Sequence, residues 1–489
     1  MPNKGRRSET NLGSGWERYV SPFTWRYGSR EMRVLFSEVE RRAAWRRTWV
    51  ALAKAEEEMG LLSLDELNGV RSVSGREHID LSAAHELEQK IGHDLFAELR
   101  TFAAQAKEGG GKLHLGATST DIEDNADIMI YKKAIGMVAS RLRDCLQAIR
   151  AKVVQYKGTP CMAWTHLQPA EPTTLGYRFA SYAQELVLDL RMLESVDAIF
   201  LKGKGIKGAV GTSASYRALL GSDRLAEELE GKVMQDLGLE AFPVSGQTYP
   251  RKVDYLVLSC LASVAQSCHK FGVDLRVMQS PAFGELSEPM GDLQVGSSAM
   301  PFKRNPVLAE RMCSLARFVS VLPQVAFANA ASSILERTLD DSASRRVAIP
   351  EAFLAIDECL TIYLKLVSEM VVHPAMIRRN LEAYGPFSGT EAVLMRLARQ
   401  GGDRQRLHEL IRKKSQMAWD EVLKGRPNPI ERLLSEDRAV SSRLAPSEVH
   451  ALMDPKKYTG LAESRSEKFV RDVIDPLLAG GARGRRAAR

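Results

Sequence analysis

The sequence predicts an all-α protein with three helical domains. Apolar residues recur at three- and four-residue spacing over unusually long stretches in the middle of the chain, whereas strand-like alternation is scarce. One stripe of this kind comprises Val253, Leu256, Val257, Cys260, Leu261, Val264 and Cys268. Leu258 and Ala265 add apolar surface off the stripe, so this helix needs partners on more than one side.

Long helices of this type are expected to form a central bundle. The periodic segments run over about 125–157, 176–201, 252–279, 305–333 and 344–371. At 1.5 Å per residue, each helix would span on the order of 40 Å. The wide apolar surface of the bundle is expected to continue into other subunits. Pro323 and Pro350 are expected to kink or break the last two helices.

Shorter patterns and turn-forming segments set the predicted domain boundaries. Helical patterns at 31–59 and 81–107 precede a glycine-rich loop at 108–112, and the patterns shorten again after Val372. We therefore predict an N-terminal helical domain at 1–118, a central bundle at 119–372 and a C-terminal helical domain at 373–489. The Gly- and Pro-rich pieces are interpreted as connections between helices, and they lie at 158–175, 203–213, 241–250 and 280–306.

Composition and charge exclude several classes of protein. The six cysteines of this 489-residue chain form no CxxC pair, which argues against zinc and against a secreted disulfide framework. No signal peptide and no membrane span are apparent, so a cytoplasmic location is expected. The net charge is +7, with much of the excess in two basic tails. Solvated ends are favoured there over weak nucleic-acid binding.

The loop from Gly296 to Pro306 is the most informative segment. It reads GSSAMPFKRNP, and Gly296, Pro301 and Pro306 each interrupt regular structure. Two hydroxyls, one ammonium and one amide on such a loop indicate that it handles an anion.

Two further islands carry hydroxyls, amides or an imidazole at turns. One runs from His114 to Ser119 and on to Asn125, and the other runs from Thr165 to Gly176. Backbone N–H groups at helix starts are open to anions at such places. The GKGIKG run at 203–208 matches the dinucleotide pattern GxGxxG, but no strand or βαβ pattern surrounds it, and a glycine-rich turn explains it.

The three islands resemble the signature segments of the fumarase/aspartase superfamily, in the same order along the chain. Three more segments resemble the adenylosuccinate lyase family within it, especially the branch that includes the animal enzymes. They are SGQTYPRKVD at 245–254, ERTLDDSASRR at 336–346 and WRYGS at 25–29. The resemblance extends from about residue 20 to about residue 475 and leaves out both basic tails.

The resemblance implies an anti elimination of fumarate from a succinyl group on nitrogen. Ser297 would be the base, with Ser298 as the neighbouring alternative. Lys303 would stabilise the serine oxyanion, because a serine hydroxyl is otherwise a poor base. His166 would be the general acid, since an imidazole titrates near neutral pH. His93, oriented by Asp94, would hold or polarise His166 or bind the substrate.

The resemblance also implies a set of substrate contacts. Lys303 and Asn305 would hold the carboxylate that is activated. The other contacts, beside His93 and Asp94, are Arg26, Tyr27, Thr118, Ser119, Gln247, Arg311, Arg337, Ser342 and Arg346. Arginine forks suit the phosphate and carboxylates of a succinyl-nucleotide. No metal and no cofactor are expected, and each active site would be shared between subunits of a homotetramer.

One departure from the family pattern is at Gly92, where related enzymes often carry arginine. The phosphate or carboxylate contact of that arginine would be absent in this chain or supplied by a nearby residue such as Lys90. Two alternatives stay open from the sequence. The first is another fumarate-releasing lyase of the superfamily, such as argininosuccinate lyase. The second is a structural or binding protein built on the same scaffold.

Overall fold

Long α-helices dominate the computed structural model, which describes residue 17, residues 19–291 and residues 298–480. The predicted all-α class is confirmed, because the described strands form only two small two-stranded sheets. Both basic tails lie outside the described residues.

The N-terminal region consists of short helices that begin at polar caps. They are α1 (Arg30–Leu35), α2 (Glu38–Glu58), α3 (Leu64–Ser72), α4 (Leu81–Ile91) and α5 (Asp94–Gln105). Ser37 caps α2 by accepting a hydrogen bond from the Glu40 N–H at 3.2 Å, and Ser63 and Glu66 form a capping box at α3. Each of the two patterns at 31–59 and 81–107 is therefore divided into two helices.

The long helices lie close to their predicted positions. The middle of the chain forms α6 (Ser119–Tyr156), α7 (Leu175–Ser195), α8 (Ala214–Leu220), α9 (Asp223–Leu237), α10 (Lys252–Gln279), α11 (Val307–Ser332) and α12 (Asp340–Glu369). Pro323 lies inside α11 and Pro350 lies inside α12. Of the two expected effects, a break is excluded, because each proline removes only one hydrogen-bond donor from a long helix, and a kink stays a prediction.

Two small antiparallel sheets interrupt the helical pattern. β1 (Pro160–Thr165) and β2 (Gln168–Thr174) form a hairpin in a segment whose sequence predicts only a connection. β3 (Leu286–Ser287) pairs with β4 (Val371–Val372). Sequence periodicity misses these strands because they are short and because three prolines lie in the hairpin.

The C-terminal region is a set of short helices around its own apolar cluster. They are α13 (Pro374–Tyr384), α14 (Thr390–Arg399), α15 (Arg404–Leu423), α16 (Ile430–Ser435), α17 (Arg438–Ser441), α18 (Pro446–Met453) and α19 (Ala462–Phe469). Val393, Leu397, Ile430, Leu434 and Val449 are fully buried in this cluster.

The described residues separate into two compact units. The first unit comprises the described residues up to Arg141 together with Asp189–Gln266 and Ser314–Thr361. The second comprises Leu142–Leu188, Ser267–Cys313 and the described residues from Ile362 onward. The division into three domains along the sequence stays a prediction.

Helix α10 is the only described helix that is long and apolar enough to cross a membrane. In its most apolar window, 56% of the residues are buried inside the fold. Length and hydropathy of this kind are shared by core helices, so they do not distinguish a span from a core element. All six cysteines are buried and none takes part in a disulfide.

The carboxyl group of Glu56 in α2 is buried in the first unit. Its side chain is 1% exposed, and its Oε1 atom has no hydrogen-bond partner among the described residues. Burial raises the pKa of Glu56 from 4.5 to about 8. The folded chain therefore keeps a proton that the unfolded chain releases.

Glu56 should make the protein less stable as the pH rises. Between pH 4.5 and about 8 the folded state binds more protons than the unfolded state, so the free energy of unfolding falls with pH in this window. Glu56→Gln should flatten this dependence, measured as urea midpoints from about pH 5 to about pH 8. Glu57→Gln, at a more exposed position on the same helix, is the control. An unchanged slope in Glu56→Gln would contradict the assignment.

Candidate active site

The predicted site residues divide between the two units. The first unit holds Arg26, Tyr27, His93, Asp94, Thr118, Ser119, Gln247, Arg337, Ser342 and Arg346. The second unit holds His166, Lys303, Asn305 and Arg311. Ser297 lies outside the described residues, and its neighbour Ser298 is exposed.

A cavity of about 180 Å³ in the first unit brings part of the predicted set together. Arg337, Ser342 and Arg346 line it, and Asp94 is bound to Arg346. Its other polar lining residues are Glu38, Arg41, Thr120, Glu123, Asp124, Asp127, Tyr131, Arg251 and Arg345. The predicted residues Arg26, Tyr27, His93, Thr118, Ser119 and Gln247 do not line it.

A buried arginine–carboxylate network forms one wall of the cavity. Arg251 binds Asp124 with two nitrogens at 3.0 and 3.1 Å and binds Asp341 through Nε at 2.6 Å. Arg337 binds both oxygens of Asp341 at 2.9 and 3.0 Å. Burial alone would raise the pKa of Asp341, but Arg251, Arg345 and Arg337 outweigh it and lower that pKa. Asp341 is therefore a carboxylate at neutral pH.

Arg345 is the second buried cation of this wall. Its Nε atom donates to Asp254 at 2.6 Å, and its Nη2 atom donates to Asp127 at 3.1 Å and to the Tyr249 hydroxyl at 2.6 Å. These contacts connect α12 to α6, to the start of α10 and to the segment before it. Nε and Nη2 of Arg345 are thus engaged by structural partners, and its neighbour Arg346 is the more exposed of the pair.

Glu123 is the unusual acid of the cavity. Burial raises its pKa to about 8, and the negative charges of Asp94, Asp127 and Asp124 add to the shift. The side chain is therefore largely protonated at neutral pH and can donate a hydrogen bond. A carboxyl group in this state does not repel an anionic ligand.

The turn with Gly92, His93 and Asp94 joins α4 to α5. Gly92 ends α4 in the left-handed conformation (φ 71°), and His93 caps α5. His93 Nδ1 accepts a hydrogen bond from the Phe96 N–H at 3.4 Å, so neutral His93 carries its proton on Nε2. Asp94 lies 3.8 Å from that Nδ1 and instead binds Arg346 at 2.5 Å. The helix start, rather than Asp94, orients the imidazole ring.

Asp121 holds the island around Thr118 and Ser119 in place. Its carboxylate accepts hydrogen bonds from the backbone N–H groups of Thr118 at 2.9 Å, Lys207 at 3.1 Å and Gly208 at 3.0 Å, and it binds the buried ammonium of Lys204. The GKGIKG run therefore acts as a structural turn that folds around Asp121.

His114, the first residue of this island, has a structural role. Its Nδ1 atom accepts a hydrogen bond from the Trp49 indole N–H at 3.1 Å. Burial lowers the pKa of His114 to about 4, so the ring is neutral.

The segments around Gln247 and Tyr27 are tied down by backbone contacts. The Gln247 N–H donates to the Glu336 carbonyl at 3.2 Å, and the Gln247 carbonyl accepts from the Thr120 hydroxyl. The Gly28 N–H, next to Tyr27, donates to Glu358 at 3.1 Å. Arg26 is exposed, with its guanidinium 5.8 Å from the Tyr27 ring centre.

In the second unit, His166 lies at the exposed tip of the β1–β2 hairpin. Thr165 pairs with Gln168, so His166 and Leu167 are the two central residues of the turn. Both have positive φ, 54° and 59°, as a type I′ turn requires. Glycine or asparagine usually fills such positions, so this turn is strained in a way that is common at functional sites.

The chain on both sides of residues 292–297 is held by Gln279 and Glu288. The Gln279 side chain accepts from the Glu288 N–H at 2.9 Å and donates to the Arg304 carbonyl at 3.0 Å. The Glu288 carboxylate accepts from the Leu308 and Ala309 N–H groups at 3.1 and 2.5 Å and so caps α11. Lys303 is exposed between these anchors, and Asn305 and Arg311 are partly buried.

Comparison with known proteins assigns the chain to a family. A family model described as "Lyase" matches residues 42–320, and one described as "Adenylosuccinate lyase C-terminus" matches residues 386–469. An adenylosuccinate lyase of Schistosoma mansoni is 37% identical over 95% of this chain and 96% of its own length. One of Saccharomyces cerevisiae is 36% identical over the same shares of the two chains.

The chain belongs to the adenylosuccinate lyase family. The predictions of this family and of a lyase are therefore confirmed, and the family is favoured over argininosuccinate lyase. Solved structures give the same fold. A 3-carboxy-cis,cis-muconate lactonizing enzyme from Pseudomonas putida matches with a TM-score of 0.81 and 25% identity, over 94% of this chain and 98% of its own.

Sequence reasoning missed residues in each unit that line the cavity or hold the predicted residues of this adenylosuccinate lyase family member in place. They are Arg41, Asp121, Glu123, Arg251, Arg345 and Glu288. Most lie inside or beside the family motifs, so proximity to a motif was an available signal. What the sequence did not reveal is which arginine of the Arg345–Arg346 pair turns inward.

Relief of the turn strain at Leu167 should stabilise the hairpin. Leu167→Gly removes the cost of a Cβ atom at positive φ and should raise the free energy of unfolding by roughly 0.5–1 kcal/mol, measured by thermal or urea unfolding. Leu167→Ala removes the same exposed side chain but keeps the Cβ atom, and it should give no such gain. Equal effects of the two substitutions would contradict the strain.

Proposed function

We propose that this protein catalyses the anti elimination of fumarate from adenylosuccinate, which gives AMP, and from the succinylated imidazole carboxamide ribotide of purine synthesis. The observation that carries the proposal is 37% identity, over 95% of the chain, to a protein named adenylosuccinate lyase. The arginine-rich cavity supports it, because the substrates carry one phosphate and two carboxylates.

The proposed chemistry needs a base on one side of the substrate and an acid on the other. Ser297 removes the proton from the carbon next to a carboxylate, and the Lys303 ammonium stabilises both the serine oxyanion and the developing dianion. His166 protonates the departing nitrogen. His93 presents Nε2–H, because its Nδ1 accepts a backbone hydrogen bond, and so it serves as a donor to the substrate.

The proposed substrate contacts follow from the same assignment. Arg337, Ser342 and Arg346 converge on the cavity, and Asp94 positions Arg346. The remaining proposed contacts are Arg26, Tyr27, Thr118, Ser119, Gln247, Asn305 and Arg311. Because the pKa of Glu123 is raised to about 8, this side chain adds little negative charge next to the substrate at neutral pH.

We further propose a cytoplasmic homotetramer in which each active site takes residues from several chains. His93, His166 and Ser297 are far apart in the sequence, and no cofactor enters the mechanism. Exposed apolar side chains on the long helices, such as Leu188, Met192, Val321 and Phe327, support association with further copies.

Turnover of adenylosuccinate tests the reaction directly. The ultraviolet absorbance of the succinyl-purine should fall with purified wild-type protein while fumarate appears. Ser297→Ala and His166→Ala should each lower kcat by roughly 10²–10⁴-fold, because each removes a proton-transfer group. A folded wild-type protein without turnover would contradict the proposal, and argininosuccinate would then be assayed.

Mixing of two inactive variants tests the sharing of sites. Ser297→Ala and His166→Ala chains, unfolded and refolded together, should regain up to about a quarter of wild-type activity, since some sites then receive both intact residues from different chains. Each variant refolded alone is the control. A mixture as inactive as its components would mean that one chain supplies both residues.

A further inference from the structure

The arginines that line the cavity in the first unit differ in how firmly carboxylates bind them. Among the described residues, five arginines line it. Four of these arginines bind carboxylates that are buried or mostly buried. Arg251 binds Asp124 and Asp341, and Arg337 also binds Asp341. Arg345 binds Asp127 and Asp254, and Arg346 binds Asp94. The fifth is Arg41 in α2, which has a different environment.

Arg41 retains most of its hydrogen-bonding capacity. Its Nη2 atom binds Glu38 at 2.9 Å, but the Glu38 side chain is 47% exposed, and an exposed pair of this kind is weak. The Arg41 Nε atom is buried and has no hydrogen-bond partner among the described residues. A guanidinium has five N–H donors, so most of the donors of Arg41 are available to a ligand.

The packing of α2 places Arg41 beside the turn that contains Gly92. Arg42, the next residue, donates from Nη1 to the Asp94 carbonyl at 3.0 Å and so attaches α2 to this turn. The guanidiniums of Arg41 and Arg42 lie 5.3 and 4.4 Å from the Trp45 ring centre, which restricts their orientation. Lys90, by contrast, is exposed and does not line the cavity.

The lining of the cavity favours a phosphate over a single carboxylate. Arg41, Arg337 and Arg346 supply guanidinium donors, and Ser342 supplies a hydroxyl in the first turn of the 30-residue helix α12. A phosphate dianion has enough acceptor oxygens for all of these donors and is favoured by the helix dipole.

We propose that Arg41 binds the phosphate of the nucleotide in this cavity and provides the cation that the chain lacks at Gly92. This inference rests on the proposed function. The ligand displaces Glu38, which returns to solvent, and Arg41 turns its donors to the phosphate oxygens. Arg41 is then a binding residue that the family motifs do not identify in this chain.

The binding of AMP and of adenosine to Arg41→Met, measured by calorimetry, tests the proposal. AMP should bind about 10–100-fold more weakly than to wild type, because hydrogen bonds to a charged group are lost, and adenosine should bind equally well to both. Arg47→Met removes the same charge from an exposed position of α2 and should bind both ligands as wild type does. Unfolding midpoints verify that the variants are folded.

A double variant tests the position of the phosphate. A Cβ atom added at Gly92 would meet no other atom within 4 Å, so an arginine there carries the strain of a positive φ but no clash at its Cβ, and the unfolding midpoint of the double variant must show that it is folded. Arg41→Met/Gly92→Arg should therefore regain part of the affinity for AMP. If it binds AMP no better than Arg41→Met does, the placement of the phosphate beside this turn is wrong.

Other outcomes overturn the assignment of Arg41. Equal losses for AMP and adenosine would indicate a structural role, and a specific loss of AMP binding in Lys90→Met but not in Arg41→Met would make Lys90 the contact. Binding is measured without turnover. If wild-type protein binds AMP but releases no fumarate, only the proposed reaction is contradicted. If wild-type protein is active and Arg41→Met binds AMP as tightly as wild type does, only the role of Arg41 is contradicted.

Discussion

The pairing of Arg251 with Asp124 and Asp341 is the interaction on which the arginine-rich cavity depends. These three buried side chains join α6, the start of α10 and the start of α12, which carry most of the cavity wall. Removal of one partner would leave a buried charge without compensation, which is among the most destabilising changes in a protein. The network therefore holds Arg337 through Asp341 and fixes the start of α12, the helix that also carries Arg346.

Fixed charge pairs and available donors have separate roles in this cavity. Arg251 and Arg345 are each held by two carboxylates, so they define the wall of the cavity. Arg41 differs, because its partner Glu38 is 47% exposed and such a pair is weak, whereas Arg346 is itself 43% exposed but binds the mostly buried Asp94. Neutral Glu123 completes the arrangement, because it brings a hydrogen-bond donor without a negative charge.

Conformational strain and backbone clamps position the residues of the second unit. His166 occupies a turn whose dihedral angles suit glycine, and the paired strands on either side hold it there. Gln279 and Glu288 bind the backbone at both ends of the segment that contains Lys303. The family resemblance emphasises the reactive side chains, whereas the structure adds the groups that hold their surroundings.

The helical class, the approximate positions of the long helices and the family could all be predicted from the sequence alone. Helix periodicity and the family motifs are local patterns, so they can be read without knowledge of the fold. The fold was needed to show that Arg345 is mostly buried while Arg346 is more exposed, that Pro323 lies inside a helix, and that His166 lies in a hairpin. It also decided that Arg41 belongs to the cavity. These properties depend on contacts between residues distant in the chain, and no local pattern contains that information.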